Sequence, residues 1–452
     1  MNVIFFGLVA ISFVVAAFTG HMEAVTKGAI DAARASVELA IGLVGIMALF
    51  LGLMQVVQEA GGLRFLARAI RPLMVRLFPD VPPDHPAMGS MIMNLAANML
   101  GLANAATPFG IRAMQDLDRL NGRKGTATDA MALFLAINTS SVTLLPTGVI
   151  GLRASLGSQD AAGILPTTLF ATTISTVGAT IACILLSKTP WFRRSRPPRA
   201  QEEAPPAATA AQPAAPGTPS PAAPVEDLST GAGSLLPLLA VFGVLAAFVV
   251  LGVLYGQAAS AWIIPVLIAG MLLVGVVRKV RVYEVFIVGA KEGFNVALRI
   301  IPYLVAILVS VGMFRASGAL GFFTSLLGPL TDPLGLPAEA LPMAFLRPLS
   351  GSGAYGVMAE IMKAHGPDTY IGYLVSTLQG SSETTFYVLA VYFGSVGVTR
   401  YRHAMWAGIL ADLFGLVGAV TICWILYGHA PGGPLAPPEP AAPAVVEPAP
   451  AP

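Results

Sequence analysis

Apolar runs at 36–57, 161–187, 233–254, 295–315 and 404–427 are each long enough to cross a bilayer, since a helical crossing takes about 20 residues. With 55% hydrophobic and 11% charged residues, against about 25% charged in a soluble domain, the composition is that of an all-α polytopic membrane protein. A net charge of +2 gives no reason to expect a nucleic-acid polymer as partner. The N-terminal run "NVIFFGLVAISFVVAAF" lacks the basic n-region of a cleaved signal peptide. It reads as a retained first span, with cleavage near "VAAFTG" as the alternative.

The stretch 200–232, "AQEEAPPAATAAQPAAPGTPSPAAPVEDLSTGA", is rich in Ala and Pro and buries no core. It marks 196–232 as a disordered linker, and 431–452 has the same character. Two halves remain, 1–195 and 233–430, and they resemble each other. "KGAIDAARASVELAIGLVGIMALFLGLMQVVQEAGGL" (27–63) follows the pattern of "VGAKEGFNVALRIIPYLVAILVSVGMFRASGAL" (288–320), and "INTSSVTLLPT" (137–147) lies over "LQGSSETTFYV" (378–388). Cys183 and Cys423 are 240 positions apart, and the two Ser-Ser pairs are 241 apart.

Each half reads as a long helix, an amphipathic connector, a hairpin, a broken helix and a final helix. The hairpins, 86–114 and 342–362, break at "GLANAATP" and "PLSGSG". Their arms are too short to cross, so they are expected to be re-entrant, which lipid tolerates where broken backbone faces protein or a cavity. One helix precedes the first unit (2–19) and two precede the second (233–254 and 260–277), giving about nine full spans and an odd number of crossings between the units. The repeats are therefore expected to be inverted, an arrangement typical of secondary transporters.

Charge gives the orientation. Arg64, Arg68, Arg71, Arg76, Arg119, Arg123, Lys124, Lys188, Arg193, Arg194, Arg196, Arg199, Arg278, Lys279, Arg281, Arg400 and Arg402 fall on one side of this topology. Lys27, Arg34, Arg153, Arg315 and Lys363 fall on the other. The positive-inside rule then puts the N-terminus and linker in the cytoplasm and the C-terminal tail outside.

Polar residues inside the spans mark the candidate site. Asn138, Thr139, Ser140, Ser141 and Thr143 in one half match Gln379, Ser381, Ser382, Glu383 and Thr384 in the other. Five neighbouring polar residues cover every face of a helix, which points to an unwound segment lining a cavity rather than to one-faced packing. Glu383 is the most informative, because an acid at a span's centre costs about 2.5–3.5 kcal/mol. It is the candidate for a coupling ion, with an ion pair to Arg347 as the structural alternative. The hairpin tips add Asn98, Asn104 and Thr107 in the first half and Arg347, Ser350 and Ser352 in the second, beside glycines that permit close backbone approach. Asn94 reads as packing glue between helices, and Asp412 as a candidate conformational ion pair near the start of the last span.

No cofactor or metal is expected. The cysteines lie singly in apolar spans, and His21, His85, His365, His403 and His429 are scattered. "GSGAYG" (351–356) fits G-x-G-x-x-G but lacks the strand and soluble βαβ unit a dinucleotide fold needs. With no Walker lysine, zincin helix or G-x-S-x-G elbow, an enzyme is not the expectation.

The longer motifs carry a family resemblance. "HPAMGSMIMNLAANMLGLANAATPFGIRAM" and "FLAINTSSVTLLPT" resemble spore maturation protein A, and "LPMAFLRPLSGSGAYGVMAEI" and "STLQGSSETTFYVLAVYFGSVGV" resemble spore maturation protein B. The chain thus looks like a fusion of the two. Both belong to the nucleoside-recognition or gate group, which is similar to parts of concentrative nucleoside transporters. The resemblance implies a transporter-like inner-membrane fold moving a small polar solute or ion in a spore-maturation role. Val142 stands where Glu383 has its repeat partner, so symmetry-related acids are absent. The competing expectation is a non-transporting scaffold or sensor whose polar centre is closed in hydrogen bonds. Homo-oligomerisation stays open.

Overall fold

Small residues decide how the two longest helices meet. The computed structural model describes residues 2–101, 103–198, 243, 262 and 264–435. Most of the linker, the span at 233–254 apart from Gly243, and the tail after Leu435 lie outside the described residues. α1 (Asn2–Thr19) leads into α2 (Met22–Glu59), the connector α3 (Gly62–Leu77), the hairpin α4 (Pro86–Met99) and α5 (Ala103–Arg119), the broken pair α6 (Asp129–Ser140) and α7 (Thr147–Ser155), and α8 (Ile164–Lys188). After the short α9 (Pro190–Arg193) and α10 (Ile264–Val277) the same order returns. α11 (Val282–Ala316) is long, α12 (Ala319–Thr331) connects, α13 (Leu341–Leu346) and α14 (Gly351–His365) form a hairpin, α15 (Tyr370–Ser381) and α16 (Thr385–Gly394) are broken apart, and α17 (Ala404–Tyr427) closes the half.

Among the described residues, α2, α8, α11 and α17 are long and apolar enough to cross a membrane, while α10 and the Phe5–Thr19 part of α1 are shorter apolar helices. Each of the four carries a run expected to span. The chain is a multi-pass helical membrane protein.

α2 and α11 run antiparallel in close contact, Gly28 lying against Gly312 and Gly52 against Phe286. A Cβ on Gly289 would sit 2.4 Å from the Leu51 carbonyl oxygen, and one on Gly293 2.6 Å from the Ala48 Cα. Only glycine permits that approach, and dispersion between close backbones is what holds helices together in lipid. α8 and α17 pair the same way, with Gly178 on Phe414 and Gly418 on Ala171.

α3 shows why a connector follows each long helix. Leu63, Leu66, Ala67, Ile70 and Met74 are buried, while Arg64, Arg68 and Arg76 are exposed, the spacing of an amphipathic helix. The broken helices start alike too. The Thr128 hydroxyl accepts from Met131 N at 3.1 Å, and the Thr369 hydroxyl from Gly372 N at 3.1 Å, each satisfying an orphan helix N–H.

Candidate functional site

The two breaks form where polar residues meet the ends of short helices. α6 ends at Ser140 and α7 begins only after Pro146; α15 ends at Ser381 and α16 begins at Thr385. Helical structure therefore extends further into the polar runs than the sequence reading expects: Asn138, Thr139, Ser140, Gln379 and Ser381 are helical, and unwinding starts at Ser141 and Ser382. A hydroxyl bonded back to its own helix needs no unwound backbone. Ser140 Oγ donates to the Ala136 carbonyl and Ser381 Oγ to the Leu378 carbonyl, both at 2.9 Å.

The ends of α6 and α15 meet. Glu383 N donates to the Thr139 carbonyl at 2.6 Å. Each hairpin tip docks on a break: Leu144 N donates to the Met99 carbonyl at 3.0 Å, and Phe386 N to the Pro348 carbonyl at 3.1 Å. Gln379 Nε2 reaches the Gly351 carbonyl at 3.4 Å, and the Ser350 hydroxyl caps α14 by accepting from Gly353 N. Ser352 is half-buried in the first turn of α14 and Thr107 half-buried in α5. The Asn104 side chain lies outside the described residues.

Arg347 is buried at the tip of the second hairpin, 7% exposed. Its guanidinium donates to Thr384 Oγ1 at 3.2 Å, and its Nε has no partner. Among the described residues no carboxylate oxygen lies within 4.0 Å of it, so the Glu383–Arg347 ion pair, the structural alternative for Glu383, is not formed. Glu383 is exposed, beside the exposed Phe386 and Tyr387. Its charge and that of Asp412 are the carboxylate charges that reach Arg347.

On the other side of the break a side-chain network joins the halves. Asn98 Nδ2 donates to Asn138 Oδ1 at 2.9 Å, Asn94 Nδ2 to the Tyr392 hydroxyl at 3.2 Å and to the Ala106 carbonyl at 2.8 Å, and Tyr392 in turn to Asn138 Oδ1 at 3.4 Å. A Cβ on Gly110 would sit 2.3 Å from the Tyr392 ring, so that glycine lets α16 approach the first hairpin. Asn98 is one of the expected hairpin-tip residues, whereas Tyr392 belongs to no expected site; what ties Tyr392 to the first half is contact, not a motif.

Asp412 is also placed differently from expectation. It is the ninth residue of the 24-residue α17, about 12 Å along the helix, and it takes a 2.5 Å hydrogen bond from Thr385 Oγ1. A cleft of about 180 Å³, lined by Glu38, Ser155, Glu360 and Lys363 among others, has no break residue in its lining.

Two buried arginines hold the starts of the broken helices, each from the opposite half. Arg402, after α16, donates to Asp129 Oδ1 at 2.7 Å and to the Ala127 carbonyl at 3.0 Å, gripping the start of α6. Arg153, at the end of α7, donates to Asp368 Oδ1 at 2.9 Å and to the Pro367 carbonyl at 2.6 Å, gripping the start of α15. The clusters lie at opposite ends of the α8/α17 pair. Arg402 also bonds the Phe192 carbonyl beyond the end of α8, whereas Tyr427 at the end of α17 bonds the Gly163 carbonyl at the start of α8 and stacks on Tyr373 beside Arg153. α6 and α15 therefore point at each other from the two ends.

Comparison with known proteins agrees with this two-fold plan. A family described as nucleoside recognition (Gate) matches residues 40–156 and again 297–399, each match ending beyond a break. Spore maturation protein B of Bacillus subtilis is 48% identical over 171 residues, 38% of this chain and 96% of that protein. Spore maturation protein A of the same organism is 39% identical over 199 residues, 44% of this chain and its whole length. The chain belongs to the spore maturation protein A and B family. Each relative matches part of the chain and nearly all of itself, as a fusion of the two requires.

Proposed function

We propose that this chain is an inner-membrane secondary-transporter-like protein that moves a small polar solute or ion, anionic or nucleoside-like, between hairpin tips and broken helices. Under this reading the repeats are inverted, the hairpins are re-entrant, about nine helices span, and the N-terminus and linker are cytoplasmic. The relatives' names attach the role to spore maturation. What supports inversion is that α6 and α15 start at opposite ends of the α8/α17 pair and end on each other. Helix ends and unwound backbone at such a junction supply the dipoles and free polar groups that hold solutes in transporters of this plan.

The observation that carries the reading is Arg347. A guanidinium has five N–H donors, and among the described residues this one spends a single side-chain hydrogen bond on Thr384 while sitting buried without a carboxylate within 4.0 Å. An anionic or strongly hydrogen-bonding solute satisfies what the protein leaves open. Solute contacts are assigned to Thr384, Gln379, Ser382, Ser350 and Ser352 in the second half and to Thr107, Thr139 and Ser141 in the first. Glu383, exposed at the junction, stands on the solute's route.

The Asn98–Asn138–Tyr392 network favours a second reading, a scaffold or sensor that binds a partner protein, because that part of the centre is closed on itself. Thermal stability of the purified chain, read against nucleosides, nucleobases, organic acids, phosphate and halides, separates the two. Saturable stabilisation that Arg347→Gln removes supports the transporter site and names the solute class. No response to any anion or nucleoside in the native protein would move the assignment to the scaffold.

A further inference from the structure

We propose that α3 and the adjoining α9 form a docking surface for anionic phospholipid headgroups. The proposal needs only a multi-pass chain and does not depend on the transporter reading.

The surface begins with the sequence of α3, "GLRFLARAIRPLMVRL", which holds four arginines and no acid. It follows the spanning α2 after Gly61, whose φ of 87° turns the chain. At 16 residues, about 24 Å, and with this charge, α3 is too short and too polar to cross. It therefore lies at the membrane boundary where α2 ends. Leu63, Leu66, Ile70 and Met74 are buried in the protein, so what α3 turns outward is Arg64, Phe65, Arg68 and Arg76. A basic amphipathic helix at such a boundary reads as a membrane-surface element.

The described protein leaves that face charged. Arg64 and Arg68 are neighbours at i and i+4, where like charges repel. Among the described residues no carboxylate oxygen lies within 4.0 Å of Arg64, Arg68 or Arg76; of the arginines in α3, Arg71 alone has one, Asp84 at 3.3 Å. The guanidinium fork matches the oxygens of a phosphate. Phe65, 58% exposed between them, sets an apolar ring where headgroup meets acyl chain.

A second, independent stretch extends the patch. Trp191 in α9 is 83% exposed, and Arg193 and Arg194 beside it are exposed and, among the described residues, without an ion pair. Arg196 Nη2 lies 2.8 Å from Asp80, three residues beyond the end of α3, so the two stretches meet. An exposed indole with basic neighbours is how a membrane protein anchors at headgroup level.

The second half shows what covers this position. α12, which follows α11 as α3 follows α2, has no charged residue from Ala316 to Thr331 around it. It exposes Phe322, Leu326 and Leu330 by 72%, 63% and 70%. Lipid covers such a face in a membrane protein, so the connector position looks outward into the bilayer. α3 presents unpaired arginines from the same position, and the lipid group complementary to them carries net negative charge.

The test uses the purified full chain in a nonionic detergent, its melting temperature followed while phosphatidylglycerol or phosphatidylcholine of one acyl length is added. The expected result is a saturable rise with phosphatidylglycerol alone, because a ligand of the native state stabilises it. Its midpoint should rise with added salt and by about fivefold for each arginine lost in Arg64→Gln with Arg68→Gln. Lys363→Gln, at an exposed base near the other end of α2, should leave the midpoint unchanged. If the double variant does not fold, Phe65→Ser decides, since it should weaken the lipid response while every charge is kept. Equal shifts with both lipids, or an unaltered midpoint in the variant that decides, overturn the proposal. So does an equal shift from glycerol 3-phosphate, which makes the patch a site for soluble anions, or from a short oligonucleotide, which makes it a general polyanion surface.

Discussion

Arg153 of the first half meets Asp368 of the second at 2.9 Å, with the arginine side chain fully buried and the carboxylate about a third exposed. The guanidinium also bonds Ser376 Oγ, Ser158 Oγ and the Pro367 and Asp160 carbonyls, and lies 4.3 Å from the centre of the Tyr373 ring. Its counterpart is Arg402 on Asp129 at the far end of α8 and α17, held in a left-handed backbone conformation with φ 52°. A non-glycine residue kept there costs of order 1 kcal/mol, which the side-chain bonds offset.

Arg153→Ala leaves Asp368 and several oriented acceptors without their donor. Removing one member of a buried pair costs about 3–5 kcal/mol, so the variant should melt far below the native chain. Arg153→Lys should recover only part, since an ammonium has three donors and no plane to lay on Tyr373. Melting in detergent checks both; an alanine variant as stable as native would show the clasp to be incidental.

The cysteines report on the clasps separately. Cys183 is 1% exposed and feels Asp129 and Arg402; Cys423 is unexposed, bonded to Thr377, and feels Arg153. Arg402→Ala should therefore speed labelling of Cys183 by a membrane-permeant thiol reagent more than that of Cys423, and Arg153→Ala the reverse. Mass spectrometry of labelled peptides reads the two rates. Equal acceleration of both in either variant would mean general unfolding rather than opening at one end.

The repeat, the hairpins and both breaks were legible because each leaves a local mark: glycine at a tip, proline after a break, serine and threonine where apolar periodicity stops. The Gate matches over 40–156 and 297–399 follow the same division. The clasps were not legible. Arg153 and Arg402 look like loop charges in sequence, and only packing brings each to a helix start more than 200 residues away. Glu383 stood out for the cost of an acid in lipid, but its neighbours leave it exposed. Asp412, in a run spaced by Ala and Gly, carried the same cost and had its partner, Thr385, on a different helix.

Acid should destabilise the Arg402 cluster through His403. The imidazole is fully buried, neither nitrogen has a hydrogen-bond partner, and Asp129 is 4.0 Å away. Burial, reinforced by the Arg402 charge, lowers its pKa to about 4 from an ordinary value of 6.5. The unfolded chain then binds the proton first. The stability contributed by neutral His403 is present above pH 6.5 and is lost as pH falls towards 4, by about 1.4 kcal/mol per pH unit. His403→Gln should flatten that part of the melting-versus-pH curve; an unchanged slope would contradict the assignment.

Gly293→Val should separate the long helices. Its Cβ would come within 2.6 Å of the Met47 carbonyl oxygen and the Ala48 Cα, and neither is a flexible side-chain end that can move aside. Overpacking of this kind costs about 1–3 kcal/mol or more. Gly270→Val is the control, because nothing lies within 4 Å of a Cβ there. Reduced melting in the first and native melting in the second is the expected pair.

Arg347 and Arg153 are both buried, and substitution by methionine should affect them in opposite ways. Arg153 makes five side-chain hydrogen bonds, the one to Asp368 being also an ion pair, so Arg153→Met strands partners and lowers stability. Arg347 makes one side-chain hydrogen bond, has an unpartnered Nε, and has no carboxylate within 4.0 Å among the described residues. Replacing such a charge by an apolar chain of similar length removes its desolvation cost and strands only the Thr384 hydroxyl, so Arg347→Met should melt at or above the native temperature. Stabilisation by the anion found in the solute panel should vanish in the same variant. A residue kept for function rather than for the fold gives that combination; a large fall in melting temperature would instead make Arg347 a structural charge and remove the main support for an anion site at the break.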